Sequence, residues 1–312
     1  MRIELLHLDE GLTHQEAFLA AAENAGAYAL DLRDAGRQVR LWGMDSQLGS
    51  VKSQLSTSSE PILTFMGSGD FHHVTALLLE RLAEASAEPF TIIHFDNHPD
   101  WVRFSGGMHC GSWVNRGLAI PSVSKIVTLG VCSHDLRFPE CKGANLKAMS
   151  EGRLELFPFA HSPSRVWNNY GEGAGFTQQG RLIHWRNMTN QDDKAFLEFL
   201  QSRVTTENIY ITVDKDVLDV KDVVTNWDQG QMRLPQLTAI IKSLGSKYHI
   251  IGADVIGDYS APDYAGSGFT RLKKHAEIYL DQPRQRPDLK QTAVKNAVSN
   301  LALLKAFQEV MA

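Results

Sequence analysis

Five short runs in this sequence are mainly apolar yet do not alternate: Ile62–Met66, Thr91–Phe95, Lys125–Gly130, Ile209–Val213 and Tyr248–Ile256. A strand with one wet face reads apolar, polar, apolar. Runs that fail to alternate are expected where both faces are covered, as in a parallel sheet between helices. Helical patterns fall between the runs. The segment from Thr13 to about Arg33 is Ala-rich, with Thr13 placed as its N-cap. Val74 to Ala85 carries Leu77, Leu78, Leu79 and Leu82, and Asp192–Gln201 carries Phe196, Leu197, Phe199 and Leu200. Pro235–Leu244 opens with proline in its first turn, and Asp288–Met311 places Val294, Ala297, Val298, Leu301 and Leu304 on one side. Strand then helix, repeated, predicts an α/β fold of three αβα layers with a mostly parallel central sheet. Pro139 to Gly180 is rich in Gly, Ser, Pro and aromatics and reads as a surface excursion, so residues 1–312 are expected to form a single domain.

Charge and cysteine usage narrow the function. A net charge of −5 argues against binding driven by nucleic-acid phosphates, and no run of Lys or Arg suits an anionic membrane. Cys110, Cys132 and Cys141 give no disulfide framework and are expected to be reduced thiols. MRIELLHLDEG is too short and too acidic in its apolar part for a signal peptide, and no run approaches the length of a membrane span. The expectation is a soluble, cytoplasmic protein.

The chemistry gathers where apolar runs end. Thr91–Phe95 leads into Asp96, Asn97, His98, Pro99 and Asp100. In extended backbone, alternate side chains share a face, so Asp96, His98 and Asp100 are expected to point together. Ile209–Val213 leads into Asp214 and Asp216, two carboxylates that repel unless a cation lies between them, and Lys215 points away on the same alternation. Ile62–Met66 leads through GSGDF to His72 and His73 at the start of a helix. Singly, each motif has a bland reading: a solvated loop, a capping Asp-x-Asp, a packed His pair. Together they place oxygen and imidazole ligands at one end of one sheet. Four carboxylates and two imidazoles exceed one tetrahedral zinc site and suit two divalent ions. Oxygen-rich ligation with some imidazole favours manganese, with nickel, cobalt, iron or zinc as alternatives. Such a pair supports hydrolysis at carbon or phosphorus.

These residues resemble the ureohydrolase family of arginase, agmatinase and formimidoylglutamase. GSGDFHHVT, DNHPD and DKDVLD stand in the family's order and with similar separations, over roughly residues 60 to 260. The resemblance implies that Asp96 and Asp214 bridge two ions, that His72 and Asp100 complete one site, and that His98 and Asp216 complete the other. HHVT is similar to the family's His-Ser-Val-Thr, which selects His72 over His73 as the ligand. SGGMHCG resembles Ser-Gly-x-x-His-x-Gly, implying His109 as a proton shuttle and Ser105 near the substrate's tail; LGVCSHD similarly implies a substrate contact at Asp135. Asp100 is further expected to orient and deprotonate the attacking water.

The sequence also departs from the family. The Glu that follows Gly-x-Asp-Val-x and binds guanidinium is replaced by Gly257 in GADVIGDYS, and Thr-Gly-Thr-Pro is replaced by TNWDQGQ. Asp258 or Asp228 is the expected substitute carboxylate, with Trp227 stacking on a planar guanidinium. The resemblance thus implies a binuclear-metal hydrolase cleaving a linear C–N bond of a small guanidino or amidine compound, assembled as a homo-oligomer. Two rivals remain: a deacetylase-like amide hydrolase on the same scaffold, using one zinc, and a metal-binding member without catalysis.

Overall fold

The apolar runs form the middle of an eight-stranded sheet, in a computed structural model that describes residues 1–58, 60–284 and 287–311. Its strands are β1 (Arg2–His7), β2 (Tyr28–Asp31), β3 (Ile62–Phe65), β4 (Phe90–Phe95), β5 (Val123–Leu129), β6 (Leu154–Phe157), β7 (Asn208–Asp214) and β8 (His249–Ile256). They lie in the order β2-β1-β3-β8-β7-β4-β5-β6, and every neighbouring pair is parallel.

Both faces are covered, which is why the runs do not alternate. Ile92, Ile126 and Tyr210 pack on one side, with Leu48, Leu77, Leu79 and Trp113 from helices over Asp45–Lys52, Val74–Ala85 and Trp113–Ala119. Ile93, Val127 and Ile211 pack on the other, with Phe18, Leu237, Ile241 and Phe307 from Glu16–Asn24, Leu234–Gly245 and Leu289–Val310. The period-two switch from Ile92 to Ile93 assigns every strand residue to a layer.

The expected helix from Thr13 to Arg33 is corrected. It spans only Glu16–Asn24, and the amides of Ala25, Gly26 and Ala27 fold back onto carbonyls of its last turn. The chain then enters β2, which pairs with β1 as an edge strand. Thr13 is no cap; its hydroxyl accepts from Arg33 Nη2 at 3.0 Å. Pro139 to Gly180 is only partly a surface excursion, because β6 lies inside it and completes the sheet beyond β5. The helix Gly268–Asp281 has no counterpart in the sequence reading. Its apolar residues Phe269, Leu272, Tyr279 and Leu280 recur at helical spacing but stay exposed, and it buries only Lys274. No helix among the described residues is long and apolar enough to cross a membrane.

Candidate metal centre and cleft

The carboxyl ends of β3, β7, β4 and β5 lead into residues that line one cleft of about 570 Å³. This is where open parallel sheets bind ligands. The structure brings His72, Asp96, His98, Asp100, Asp214 and Asp216 together in its floor. Five of the six are less than a tenth exposed, and His98 is half-buried.

Alternation is not what gathers them. β4 ends at Phe95, and the DNHPD segment is irregular, with Asp100 at a left-handed φ of +46°. That conformation is uncommon outside glycine, though Asp tolerates it better than most residues. Asp100 is held there by the Trp113 indole, which donates to Oδ2 at 2.7 Å, and by the Val114 amide on its carbonyl. β7 likewise ends at Asp214, and Asp216 sits in a single 3₁₀ turn over Lys215–Val217. Lys215 does point away, its ammonium 2.6 Å from Asp258 Oδ1.

The cluster has two lobes that share Asp96. In one, His72, His94, Asp96 and Asp100 each offer a ligand atom; in the other, Asp96, His98 and Asp216 do. Asp96 Oδ2 lies 2.9 Å from His94 Nε2 and 3.1 Å from His72 Nδ1, while Oδ1 accepts from the His98 amide at 2.6 Å. His98 Nδ1 is 2.9 Å from Asp216 Oδ2. Asp214 borders the first lobe, its Oδ2 3.6 Å from His72 Nδ1. Gly69 makes room for that carboxylate, since an added Cβ would stand 2.7 Å from Oδ2.

The donor set fits a divalent ion. His72 Nδ1 is buried, faces three carboxylates at 3.0, 3.1 and 3.6 Å, and is aligned for a hydrogen bond with none. Buried polar atoms are almost always paired, so one that faces only carboxylates calls for a cation between them. Burial first, and the charge of Asp96 second, push Asp100 and Asp214 up to about 6. Burial alone would lower His72 and His98, but the carboxylates around them raise both well above the ordinary range.

A pH dependence follows. Groups raised in the folded chain hold protons that the unfolded chain has already lost. Their contribution to metal-free stability is present below the unfolded carboxylate value and fades as pH rises through about 6. A cation must displace those protons. Manganese affinity is therefore expected to climb through about pH 6 and further as His72 and His98 deprotonate, by about tenfold per unit for each proton released. Calorimetric titrations between pH 5 and 8 measure this, and a flat profile would count against a cation at these groups.

The other expected site residues are placed unevenly. His109 lines the cleft; its Nδ1 accepts from the Gly111 amide at 2.9 Å and its Nε2 lies 2.5 Å from Glu277 Oε1. Asp135 lines the cleft and pairs with Lys142 at 3.1 Å. Trp227 lines it too, with its indole N–H donating to Asp70 at 2.9 Å. Asp228 backs His98, with Oδ1 2.9 Å from Nε2 and Oδ2 accepting from Asn97. Two expectations are corrected. Ser105 is exposed and does not line the cleft. Asp258 is 1% exposed and turned away from it, bound by Lys215, Gln15 and Asn300, so it supplies no carboxylate to a substrate.

His94, Trp113, Glu277 and Asp281 went unread in the sequence. Only His94 carried a signal, since it lies two residues before Asp96 on the same strand face. His73 does not line the cleft.

A model of the arginase family matches residues 31–270. The chain belongs to the arginase family. An uncharacterized protein of Thermotoga maritima is 24% identical over 196 residues, which is 63% of this chain and 58% of that protein's length. The fold is similar to that of a hypothetical agmatinase from Burkholderia thailandensis (TM-score 0.57, 18% identity, 98% of this chain and 85% of that one). It is likewise similar to proclavaminate amidino hydrolase from Streptomyces clavuligerus (0.56, 13%, 98% and 92%) and to arginase from Bacillus subtilis (0.57, 12%, 97% and 98%). At these identities the likeness shows the arginase-like αβα fold.

Gly257, which stands where the sequence resemblance implies a Glu, has a physical reason to be glycine. It sits at φ +100°, and an added Cβ would stand 2.4 Å from Asp214 Oδ1 and 2.6 Å from the Lys215 amide nitrogen. No side chain fits there in this backbone.

Proposed function

We propose that this chain is a two-metal hydrolase that cleaves a linear C–N bond of a small guanidino or amidine compound, with manganese as the resident ion. The observation that carries the reading is the unsatisfied His72 Nδ1 facing Asp96, Asp100 and Asp214 at the head of an open cleft. His72, Asp96, Asp100 and Asp214 would hold one ion; Asp96, His98, Asp214 and Asp216 would hold the other. When bound, the pair supplies a water-derived nucleophile near neutral pH and polarises the planar carbon.

The chain's own residues do the rest. Asp100, steered by Trp113, orients the attacking water and takes its proton. His109 accepts at Nδ1 and so carries its proton on Nε2, where Glu277 holds it. This pair passes a proton to the departing amine. With Gly257 closed, the cation of the substrate needs another carboxylate. Asp228 is committed to His98 and Asn97, and Asp135 to Lys142. Asp281, on the cleft wall without an ion pair among the described residues, takes that part, with the Trp227 ring as the flat surface.

The test is turnover with manganese on arginine, agmatine, guanidinobutyrate, guanidinopropionate and formimidoylglutamate. One of these is expected to react. His109→Ala should then lower kcat by about 10²–10⁴-fold, as loss of a general acid does. Glu277→Gln should cost less and move the pH profile. Gly257 favours a second reading, a family member that binds metal without catalysis. Metal-dependent stabilisation with no turnover on the panel would select that reading.

A further inference from the structure

One pleat below the metal cluster, the sheet carries a row of buried polar side chains where a central parallel strand is normally apolar. Register aligns Thr64, Asp254, Thr212, His94 and Thr128 across β3, β8, β7, β4 and β5. All five are at most 2% exposed. Thr212 and His94 lie two residues before Asp214 and Asp96, so the row shares their face of the sheet.

The hydrogen bonds in this row have a direction. Thr212 Oγ1 donates to Asp254 Oδ1 at 2.7 Å and lies 3.0 Å from His72 Nε2. A hydroxyl has one hydrogen. With that hydrogen given to the carboxylate, Thr212 can only accept from the imidazole, so the His72 proton sits on Nε2. On the neutral ring Nδ1 is then left with its lone pair, and Nδ1 is the atom that faces the carboxylates. Asp254 is itself fixed by two more hydroxyls, Thr75 at 3.1 Å and Tyr210 at 2.7 Å. Among the described residues it forms no ion pair. A carboxylate sunk mid-strand with three hydroxyl donors is costly to keep unless its acceptor strength is used.

We propose that Asp254 is a positioning residue: acting through Thr212, it locks His72 in the Nε2–H form and presents Nδ1 to the ion of the first lobe. This rests on the metal reading above. Partners one step removed from a ligand typically govern its affinity by about 10–100-fold.

The experiment is manganese titration by calorimetry on the full chain, beside ¹⁵N-histidine spectra. Thr212→Val keeps shape and removes the hydroxyl; Thr212→Ser restores it; Asp254→Asn replaces an acceptor oxygen with an amide that can donate. Thr212→Val and Asp254→Asn are expected to weaken one of two bound ions by about 10–100-fold and leave the other unchanged. Thr212→Ser is expected to bind like the parent, and Tyr210→Phe, which leaves Thr212 in place, to lose little. In the parent, at a pH where the ring is neutral, the spectra should show His72 protonated on Nε2. A neutral His72 with its proton on Nδ1 overturns the proposal, and so does a Thr212→Ser chain that binds as weakly as Thr212→Val, since packing alone would then explain the loss. If the parent binds no ion at all, the metal reading falls, while the tautomer still decides the relay.

Discussion

Asp96→Ala is expected to abolish turnover and to erase the stabilisation that manganese gives the parent chain. Asp96 stands in both lobes, in contact with His72 and His94 through one oxygen and with the His98 amide through the other. Removing an outer partner of a ligand costs about 10–100-fold; removing the shared ligand should cost more, on the order of a thousandfold or beyond. An ion present at a hundred times its Kd stabilises the fold by about 2.7 kcal/mol, and the alanine chain should forfeit that gain at the same concentration. Thermal melting with and without manganese measures the second effect, and elemental analysis after gel filtration checks the cause. Full metal occupancy in Asp96→Ala would mean that the cation, if any, sits elsewhere.

Gly257→Glu is the second large effect, and its sign runs against intuition. The change introduces the glutamate that the family resemblance implies at this point of the sequence, yet it is expected to lose function. Holding a side chain at φ +100° costs about 1–3 kcal/mol. The new Cβ would also stand 2.4 Å from Asp214 Oδ1, so the carboxylate must move or the turn must open. Either way the first lobe loses a wall. Gly257→Ala carries the same backbone and contact penalty without the charge. Both variants should melt earlier and bind manganese more weakly, and the glutamate chain should cleave no guanidine faster than the parent. A gain in turnover for Gly257→Glu would overturn the assignment of the missing carboxylate to the cleft wall.

The sheet interior was legible in the sequence because burial on two faces leaves a plain mark. All five runs lie in strands, each within two residues of the expected ends. Edge elements left a weaker mark. β2 is mostly exposed, and its Tyr-Ala-Leu-Asp continues an Ala-rich helical pattern, so only the tertiary pairing with β1 reveals it. β6 is buried, but its four residues are too short a run to stand out among the turn residues around them. The six residues of the cluster were legible by spacing, although the reason given by alternation was wrong for His98, Asp100 and Asp216, which converge through loop geometry. Trp113 reaches the site from the start of the next helix and Glu277 from a helix far along the chain, and nothing local to either residue announces a partner. Asp258 misled because a carboxylate next to the vacant Glu position looks like a replacement. Its neighbour Lys215, pushed to the far side of the strand end, needed a counter-charge, and burial of both gave that pairing priority.

The helix Gly268–Asp281 carries one further consequence. It contributes Asp281 to the cleft and Glu277 to His109, yet few contacts fasten it inward: Lys274 donates to the carbonyls of Gln38 and Trp42 and rests over the Trp42 ring, Glu277 meets His109, and Gln282 at its end donates to Asp70. A panel held by a few polar contacts, with its apolar residues exposed, opens at lower free energy than the sheet behind it. Entry and exit of small molecules can therefore proceed by swinging that panel while the ion-holding floor stays rigid. The same division lets the panel's sequence drift toward new cargo without any charge to the stability of the floor.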